Sequence, residues 1–560
     1  MTTLETPPDD REPTVTVDLR LAAAALGSWL AALAVVRTAP STAALVAGAC
    51  LVVVAAGAAV RRSGGRQMRV ETPRGPTDRS VVDASALPDS SAAPRLCGPE
   101  SPARSRRATS RARSAVARRG PAAPGVAPTV ALALLAVAAV LGAGAEQTHV
   151  RALGLLPRLA ATQSAAVLTG RVVGEPAVLP PAWPGAPPRA RCVVAVGTIS
   201  ARGRASGAVG QVLVLGPPAL ASARFGARVR VVGRLQPSTR GARLVAVLLT
   251  SAAPELLGDP GPWDAVAGVV RQDVADLARP LPGDAGALLP GVTVGDTSGV
   301  PTDLAADMRV AGLTHVTAVS GAHFSLVAVL VLTLATAARL PRGMRVALVV
   351  TAMAAMVTLV HPSPSVVRAA AMGLVAAGGL LLGRPHRAPP ALFASVVVLL
   401  VSDPWLAGEL GFLLSVLATG GLVLLGGPLA QRWSGRCGRP VAQVLALPVA
   451  AQLVCAPASL LATPSVATYA IPANLLVAPA VAPATVLGLA AGALASWWPW
   501  GAQLLALGAG AACWWIGAVA RVAAAAPGAQ VAWQPGVVGI VLLTVTALSV
   551  ARLLVARRCR

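Results

Sequence analysis

The sequence predicts a polytopic α-helical membrane protein of about twelve spans that carries a small extracytoplasmic β-barrel domain. Three observations carry this reading. The 560 residues are 55% hydrophobic and 12% charged with a mean hydropathy of +0.68, which leaves too little polar surface for ordinary soluble domains. Apolar runs approaching the roughly 20 residues that cross a bilayer recur along the chain. Between them, Val150–Thr250 has a different grammar of short β-rich runs broken by Gly and Pro.

The apolar runs lie at 21–36, 43–60, 129–145, 314–338, 344–360, 365–383, 390–401, 410–426, 441–462, 470–496, 501–522 and 537–555. The short run at 390–401 and the Pro-broken run at 470–496 are candidates for re-entrant segments. This divides the chain into a two-span anchor (1–60), an Arg-rich loop (61–128), a third span (129–149), the β-rich domain (150–256), an amphipathic helix with a polar lead-in (257–312) and a multi-span domain (313–560). Arg61–Arg119 holds fourteen Arg against five acidic residues, is rich in Ser and Pro and lacks periodicity, so it reads as a disordered cytoplasmic loop. The positive-inside rule then places both termini in the cytoplasm, the chain in the cell membrane, and residues 150–312 outside. Met1–Arg20 is acidic rather than basic, so the N-terminus reads as a retained anchor and not a cleaved signal.

Five runs within the outer segment read as strands: Ala165–Gly174, Ala190–Ile199, Val209–Gly216, Ala227–Leu235 and Arg243–Thr250. Five strands suit a small barrel, and the OB-fold is the five-stranded candidate. Trp263, Val266, Ala267, Val270, Val274 and Leu277 then recur at helical spacing with Arg271, Asp273 and Asp276 between them, an amphipathic helix suited to the outer interface.

Composition also excludes function classes. All 47 basic residues are Arg, giving a net charge of +24, and no Lys is present. A P-loop needs its Lys on the phosphates and a pyridoxal enzyme needs a Schiff-base Lys, so neither class fits, no cofactor is implied, and any nucleotide-driven step belongs to a partner. The seven Cys are scattered without metal-ligand or redox spacing. The five His (149, 315, 323, 361 and 386) are dispersed, so no metal site is expected.

The stretch most suggestive of chemistry is Gly312–Phe324, GLTHVTAVSGAHF, at the mouth of a span, preceded by Asp296 in an acidic, Gly-rich lead-in. His315, Ser320 and His323 there either line a cavity or make helix-packing hydrogen bonds, with Gly321 allowing close approach. Arg368 lies inside a span, where it either marks a functional site or pairs with a carboxylate such as Asp403 or Glu409. Asn474 is the chain's one Asn and stands near Pro472, Pro479 and Pro483. That pattern predicts a discontinuous helix lining a path, or else a Pro kink satisfied by neighbouring helices. Outside, Val150–Thr250 holds thirteen Arg and one acidic residue, Glu175. Such a surface attracts a polyanion unless the Arg excess is coding bias; Arg202, Arg204, Arg228, Arg230 and Arg234 are the candidate contacts. Its aromatics, Trp183 and Phe225, are too few for extensive base stacking, so backbone contact is the consistent form. Trp497, Trp498, Trp500, Trp514 and Trp515 read as interface anchors.

These motifs together resemble the competence domain of ComEC-type DNA-internalisation membrane proteins. The likeness rests on LeuLeuProGlyValThrValGlyAsp (Leu288–Asp296), GlyLeuThrHis…ValSerGlyAlaHis (Gly312–His323), ProSerProSerValValArg (Pro362–Arg368), AspProTrpLeu…GlyPheLeuLeuSer (Asp403–Ser415) and IleProAlaAsnLeuLeuVal (Ile471–Val477). The resemblance implies a non-enzymatic channel component that imports single-stranded DNA during natural transformation. The route would be lined by the 315–323 motif, Arg368, Ser415 and Asn474, with Asp296 and Asp403 among the motif residues. It further implies an OB-like outer domain, contact with membrane lipid, a separate DNA receptor, a separate cytoplasmic ATPase motor, and assembly as a homo-oligomer as one option.

Full-length relatives often continue into a metallo-β-lactamase-like domain. No HxHxDH-type cluster occurs here, so no nuclease activity is expected of this polypeptide. The outer domain has a single Cys, Cys192, which excludes an intradomain disulfide. Two other functions compete. Ser320 with a nearby His could form the dyad of an intramembrane serine hydrolase, and the same basic domain could serve a transporter of another envelope polyanion.

Overall fold

The computed structural model describes residues 19, 21–67, 126–179, 181, 183, 185–239, 241–317, 319–361, 364–381 and 388–555. The expected cytoplasmic loop lies, from 68 to 125, outside the described residues, as do Arg384–Arg387 and the tail beyond Val555. The described chain is mostly helical. Seven helices are long and apolar enough to cross a membrane: Ala127–Ala152, Arg342–Val360, Leu410–Cys437, Arg439–Ser459, Ala470–Leu494, Pro499–Ala525 and Gly536–Val555. Shorter apolar helices occupy Ala22–Val35, Pro40–Ala56, Gly321–Ala337 and Pro389–Ser402. The apolar runs thus fall on helices, the run at 365–383 on Pro364–Leu381, except that the run at 314–338 is divided between Thr314–Thr317 and Gly321–Ala337.

All five expected strands are present as β1 (Ala165–Val172), β3 (Arg189–Ala201), β4 (Arg204–Gly216), β5 (Arg228–Pro237) and β6 (Leu244–Leu249). Two short strands escape the pattern. β2 (Ala177–Leu179) pairs with β3, and β7 (Glu255–Gly258) pairs with β5 and runs across the expected boundary at 256. The sheet is seven-stranded, ordered β1-β3-β4-β6-β5-β7, and β1 also pairs with β5, which closes a circuit through the five main strands. Only β4 and β6 run parallel within it. Alternation decides what fills the interior: on β5, Val229, Val231 and Leu235 are buried while Arg228, Arg230 and Arg234 point outward. Arg202 and Gly203, both at positive φ, form the two-residue turn of the β3–β4 hairpin. Burial pushes the Cys192 thiol up to about 12, so it acts as core and not as a nucleophile.

The helices pack around alanine and glycine. The Ala470–Leu494 and Pro499–Ala525 pair buries Ala473, Ala480, Ala484, Ala491, Ala506 and Ala509 in one core with Leu288, Leu289 and Val292 of the Gly283–Val294 helix. The expected break near Asn474 is absent. Ala470–Leu494 is one continuous helix with Pro479 and Pro483 inside it. Each Pro removes a backbone donor, yet the helix runs through both, and the neighbouring helix braces it nearby, Trp515 Nε1 donating to the Leu476 carbonyl at 2.8 Å.

The N-terminal helices are not a detached anchor. Trp29 stacks on Phe412 at 5.0 Å and donates to the Ala407 carbonyl at 3.1 Å, and Gln147 donates to the Val401 and Ser402 carbonyls. Four helix ends meet the sheet domain. Val36 and Arg37 lie against Gly241, and Arg151 donates to the Arg243 carbonyl while covering the Trp405 ring. Arg243 bridges to Asp403 at 2.5 Å, and His361 reaches Glu175 at 2.7 Å.

The amphipathic helix, Pro262–Ala278, differs from expectation at Arg271. That side chain lies on the buried face with Ala267 and Val274, while Trp263 and Val266 are exposed. The reason is a set of acceptors that helical periodicity does not reveal. Arg271 Nη1 donates to the Val294 and Leu359 carbonyls, and Nη2 bridges to Glu175. Burial raises the Glu175 pKa, but His361 and Arg271 outweigh it and hold the carboxyl below its ordinary value. A depressed carboxyl stabilises the folded contact above its unfolded pKa and loses that contribution as pH falls through the folded one. Protease sensitivity between the sheet domain and the Pro262–Ala278 helix should therefore stay constant at neutral pH and rise only on acidification below the normal carboxylate range. Glu175→Gln should abolish that acid-dependent step.

Candidate functional site

The Gly-rich lead-in is shaped by backbone geometry. Gly295 ends the Gly283–Val294 helix in the left-handed region, φ +77°, and the Asp296 carboxylate accepts the Ser298 N–H at 3.0 Å to fix the turn. Asp296 is therefore placed as a turn residue. Gly312, φ +72°, brings the chain against the start of the Ala470–Leu494 helix, where a β-carbon would lie 2.8 Å from that of Ala470. This close approach brings the short Thr314–Thr317 helix, which carries His315, next to the start of the helix that carries Asn474. Asn474 donates to the Ala470 carbonyl at 2.7 Å.

Five residues on, Ser320 caps the Gly321–Ala337 helix. Its backbone N–H donates to His323 Nδ1 at 3.0 Å, and its hydroxyl lies 2.9 Å from the same nitrogen, closing a capping box in which His stands in for the usual Glu or Gln. Because Nδ1 accepts a backbone N–H, it carries no proton, and the neutral ring holds its proton on Nε2. That atom is buried and has no hydrogen-bond partner among the described residues. Ser320→Ala should cost about 1 kcal/mol of stability through the cap, measured as a lowered unfolding midpoint in detergent.

Gly321 touches the next element. A β-carbon there would lie 3.0 Å from Arg368 Nη2. Arg368 is 4% exposed, in the second turn of Pro364–Leu381. Its Nε donates to Ser415 Oγ at 2.8 Å, and Nη1 to Thr419 Oγ1 at 3.0 Å and Met372 Sδ at 3.1 Å. Neither carboxylate considered as its partner is there: Asp403 and Glu409 both face Arg243. Among the described residues, Arg368 thus bonds to neutral groups, which solvate its charge without neutralising it. Thr419 was not anticipated; its spacing of four from Ser415 on one helix face is the signal that could have found it.

The structure brings Ser320, Gly321, His323, Arg368 and Ser415 together, while His315, in the short Thr314–Thr317 helix, and Asn474 flank the approach of Gly312 to Ala470. Asp403 stands apart, capping a 3-10 turn through the Trp405 N–H and holding Arg243. The outer arginines are dispersed and exposed. Arg202 and Arg204 sit at the β3–β4 hairpin, Arg228 is on β5, Arg230 is paired with Glu255, and Arg234 donates to the Gln163 carbonyl. No group of three metal-ligating side chains occurs among the described residues.

Long apolar helices around a buried, hydroxyl-bound arginine define a polytopic membrane protein. Residues 292–558 match the model of a family described as Competence protein, and this stretch contains every member of the cluster just described. That family implies a role in DNA uptake for transformation. No curated protein and no solved structure matches the chain.

Proposed function

We propose that the chain conducts single-stranded DNA inward across the cytoplasmic membrane during natural transformation. The observation that carries this is Arg368, a buried cation bound to Ser415, Thr419 and Met372 and touching the Ser-Gly motif. Neutral hydroxyls solvate a guanidinium but leave its charge available, so a passing phosphodiester can exchange with them at little cost. His323 Nε2–H supplies a second buried donor that lacks an acceptor among the described residues.

The sheet domain is read as an OB-like barrel. Without its two short strands its order is that of five strands closed by β1–β5, with the third and last main strands parallel. It would receive the strand outside through Arg202, Arg204, Arg228, Arg230 and Arg234, with both termini of the chain in the cytoplasm. A separate receptor delivers DNA and a separate ATPase pulls it, since a chain without Lys holds phosphates by Arg alone. Deletion should abolish transformation and uptake of labelled DNA; normal uptake in the deletion strain overturns the proposal. For the full-length protein, single-strand affinity should fall with salt, and Arg202→Ala with Arg204→Ala should each lower the logarithmic slope by about 0.7. Competition by an anionic polysaccharide as strong as by DNA would favour transport of another polyanion.

One contact supports a second reading. Ser320 Oγ lies 2.9 Å from His323 Nδ1, the geometry of a serine hydrolase dyad. The same nitrogen already accepts the Ser320 N–H, so the helix cap accounts for the contact. Labelling by a fluorophosphonate probe that disappears in Ser320→Ala would favour the hydrolase.

A further inference from the structure

We propose that Arg271 is the positioning residue that registers the sheet domain on the helix carrying Arg368, and that strand passage depends on this joint. The second part rests on the DNA-conduit reading. Arg271 is 9% exposed and holds three separate pieces of the chain. It donates to Val294 O at 2.5 Å and Leu359 O at 3.1 Å, and bridges to Glu175 at 3.1 Å. Val294 and Leu359 lie in the last turns of two helices, Gly283–Val294 and Arg342–Val360, whose C-terminal dipole ends favour a cation. One guanidinium thus serves two helix ends and the one carboxylate in Val150–Thr250, which a planar fork of five donors can do and an ammonium cannot.

Glu175 passes the contact on. Its Oε2 also meets His361 Nδ1 at 2.7 Å, and the His361 ring stacks on Phe225 of the sheet domain at 3.6 Å between centroids and 12° between planes. His361 has φ +63° and ψ 145°, a conformation that a non-glycine residue holds only when its surroundings impose it. It stands just before the Pro364–Leu381 helix, and Arg368 is in that helix's second turn. A second bridge, Arg171 to Asp264, ties the start of the Pro262–Ala278 helix to β1, so this helix is fastened to the sheet at two points. A shift of the sheet domain would therefore be felt at His361 and at the start of the arginine helix.

The test compares Arg271→Ala, Arg271→Lys, Glu175→Ala and Phe225→Leu in the full-length protein by hydrogen–deuterium exchange and by DNA uptake. Phe225→Leu serves if the charge variants fail to accumulate. The joint predicts that exchange rises about tenfold together at Val173–Ala177 and at Leu359–His361. Arg271→Lys should be intermediate, the interior of β3 and β4 unchanged, and uptake reduced in step. A rise on one side alone, or on neither, overturns the joint. Arg368→Ala is the reference for the conduit reading: if it retains uptake, that reading fails while the exchange result still judges the joint. If Arg368→Ala loses uptake while Glu175→Ala exchanges faster and imports normally, the dependence of passage on the joint is overturned.

Discussion

Arg368→Ala should lower uptake of labelled single-stranded DNA by about 10- to 100-fold with the amount of membrane-inserted protein unchanged. The size follows from losing one charge-assisted contact to each passing phosphate, together with the loss of the guanidinium donors to Ser415 and Thr419, of which Thr419 keeps its bond to the Ser415 carbonyl. Arg368→Lys should recover part of the loss. An ammonium restores the charge but cannot hold Ser415, Thr419 and a phosphate in one plane. Ser415→Ala should cost less, because Thr419 remains to solvate the guanidinium. A purely structural arginine would give a different order, with reduced protein levels in Arg368→Ala and near-normal uptake per molecule.

Gly312→Val should destabilise the protein by about 2–5 kcal/mol. Two effects add. Gly312 sits at φ +72°, where a β-branched residue is strained, and its β-carbon would approach the β-carbons of Ala470 at 2.8 Å and Ala467 at 3.5 Å. Neither alanine has a flexible end that can yield, since one starts the Ala470–Leu494 helix and the other lies in the two-stranded pairing of 465–467 with 530–532. The same displacement would part the Thr314–Thr317 turn carrying His315 from the start of the Ala470–Leu494 helix, so uptake should fall beyond the loss in folded protein. Gly299→Ala is the control, because open space surrounds that position. The comparison is read as the unfolding midpoint of each variant in detergent, and equal midpoints would show that the Gly312 approach does not constrain the fold.

Much of this architecture was legible because its signals are local. An apolar run near bilayer length or an alternating strand is written in consecutive residues, so the helices and the five main strands follow from the sequence. β2 and β7 were not, since three or four residues carry no period. Partners distant in the chain were also hidden. Arg368 and Asp403 suggest a pair by chemistry, yet Asp403 is taken by Arg243, 160 residues away, and Arg368 by hydroxyls on the Leu410–Gly421 helix. The proline pattern around Asn474 suggests a break because the helix packed along it, Pro499–Ala525, comes later in the sequence. Arg271 reads as a polar-face residue for the same reason: helical spacing cannot show two foreign carbonyls converging on it. Within the motif, Gly312, Ser320, Gly321 and His323 were recognisable as residues, but their division into a close approach, a cap and a contact with Arg368 required coordinates.

The central claim is that the strand passes the Arg368 cluster. A photo-crosslinking amino acid placed at Ser415, and separately at Val329, which is 58% exposed on the Gly321–Ala337 helix, tests it during active uptake of labelled DNA. The conduit predicts a covalent DNA adduct at position 415 that depends on competence and disappears when Arg368 is also replaced by Ala, with none at position 329. Adducts at both positions alike, or at neither while uptake proceeds, would contradict it.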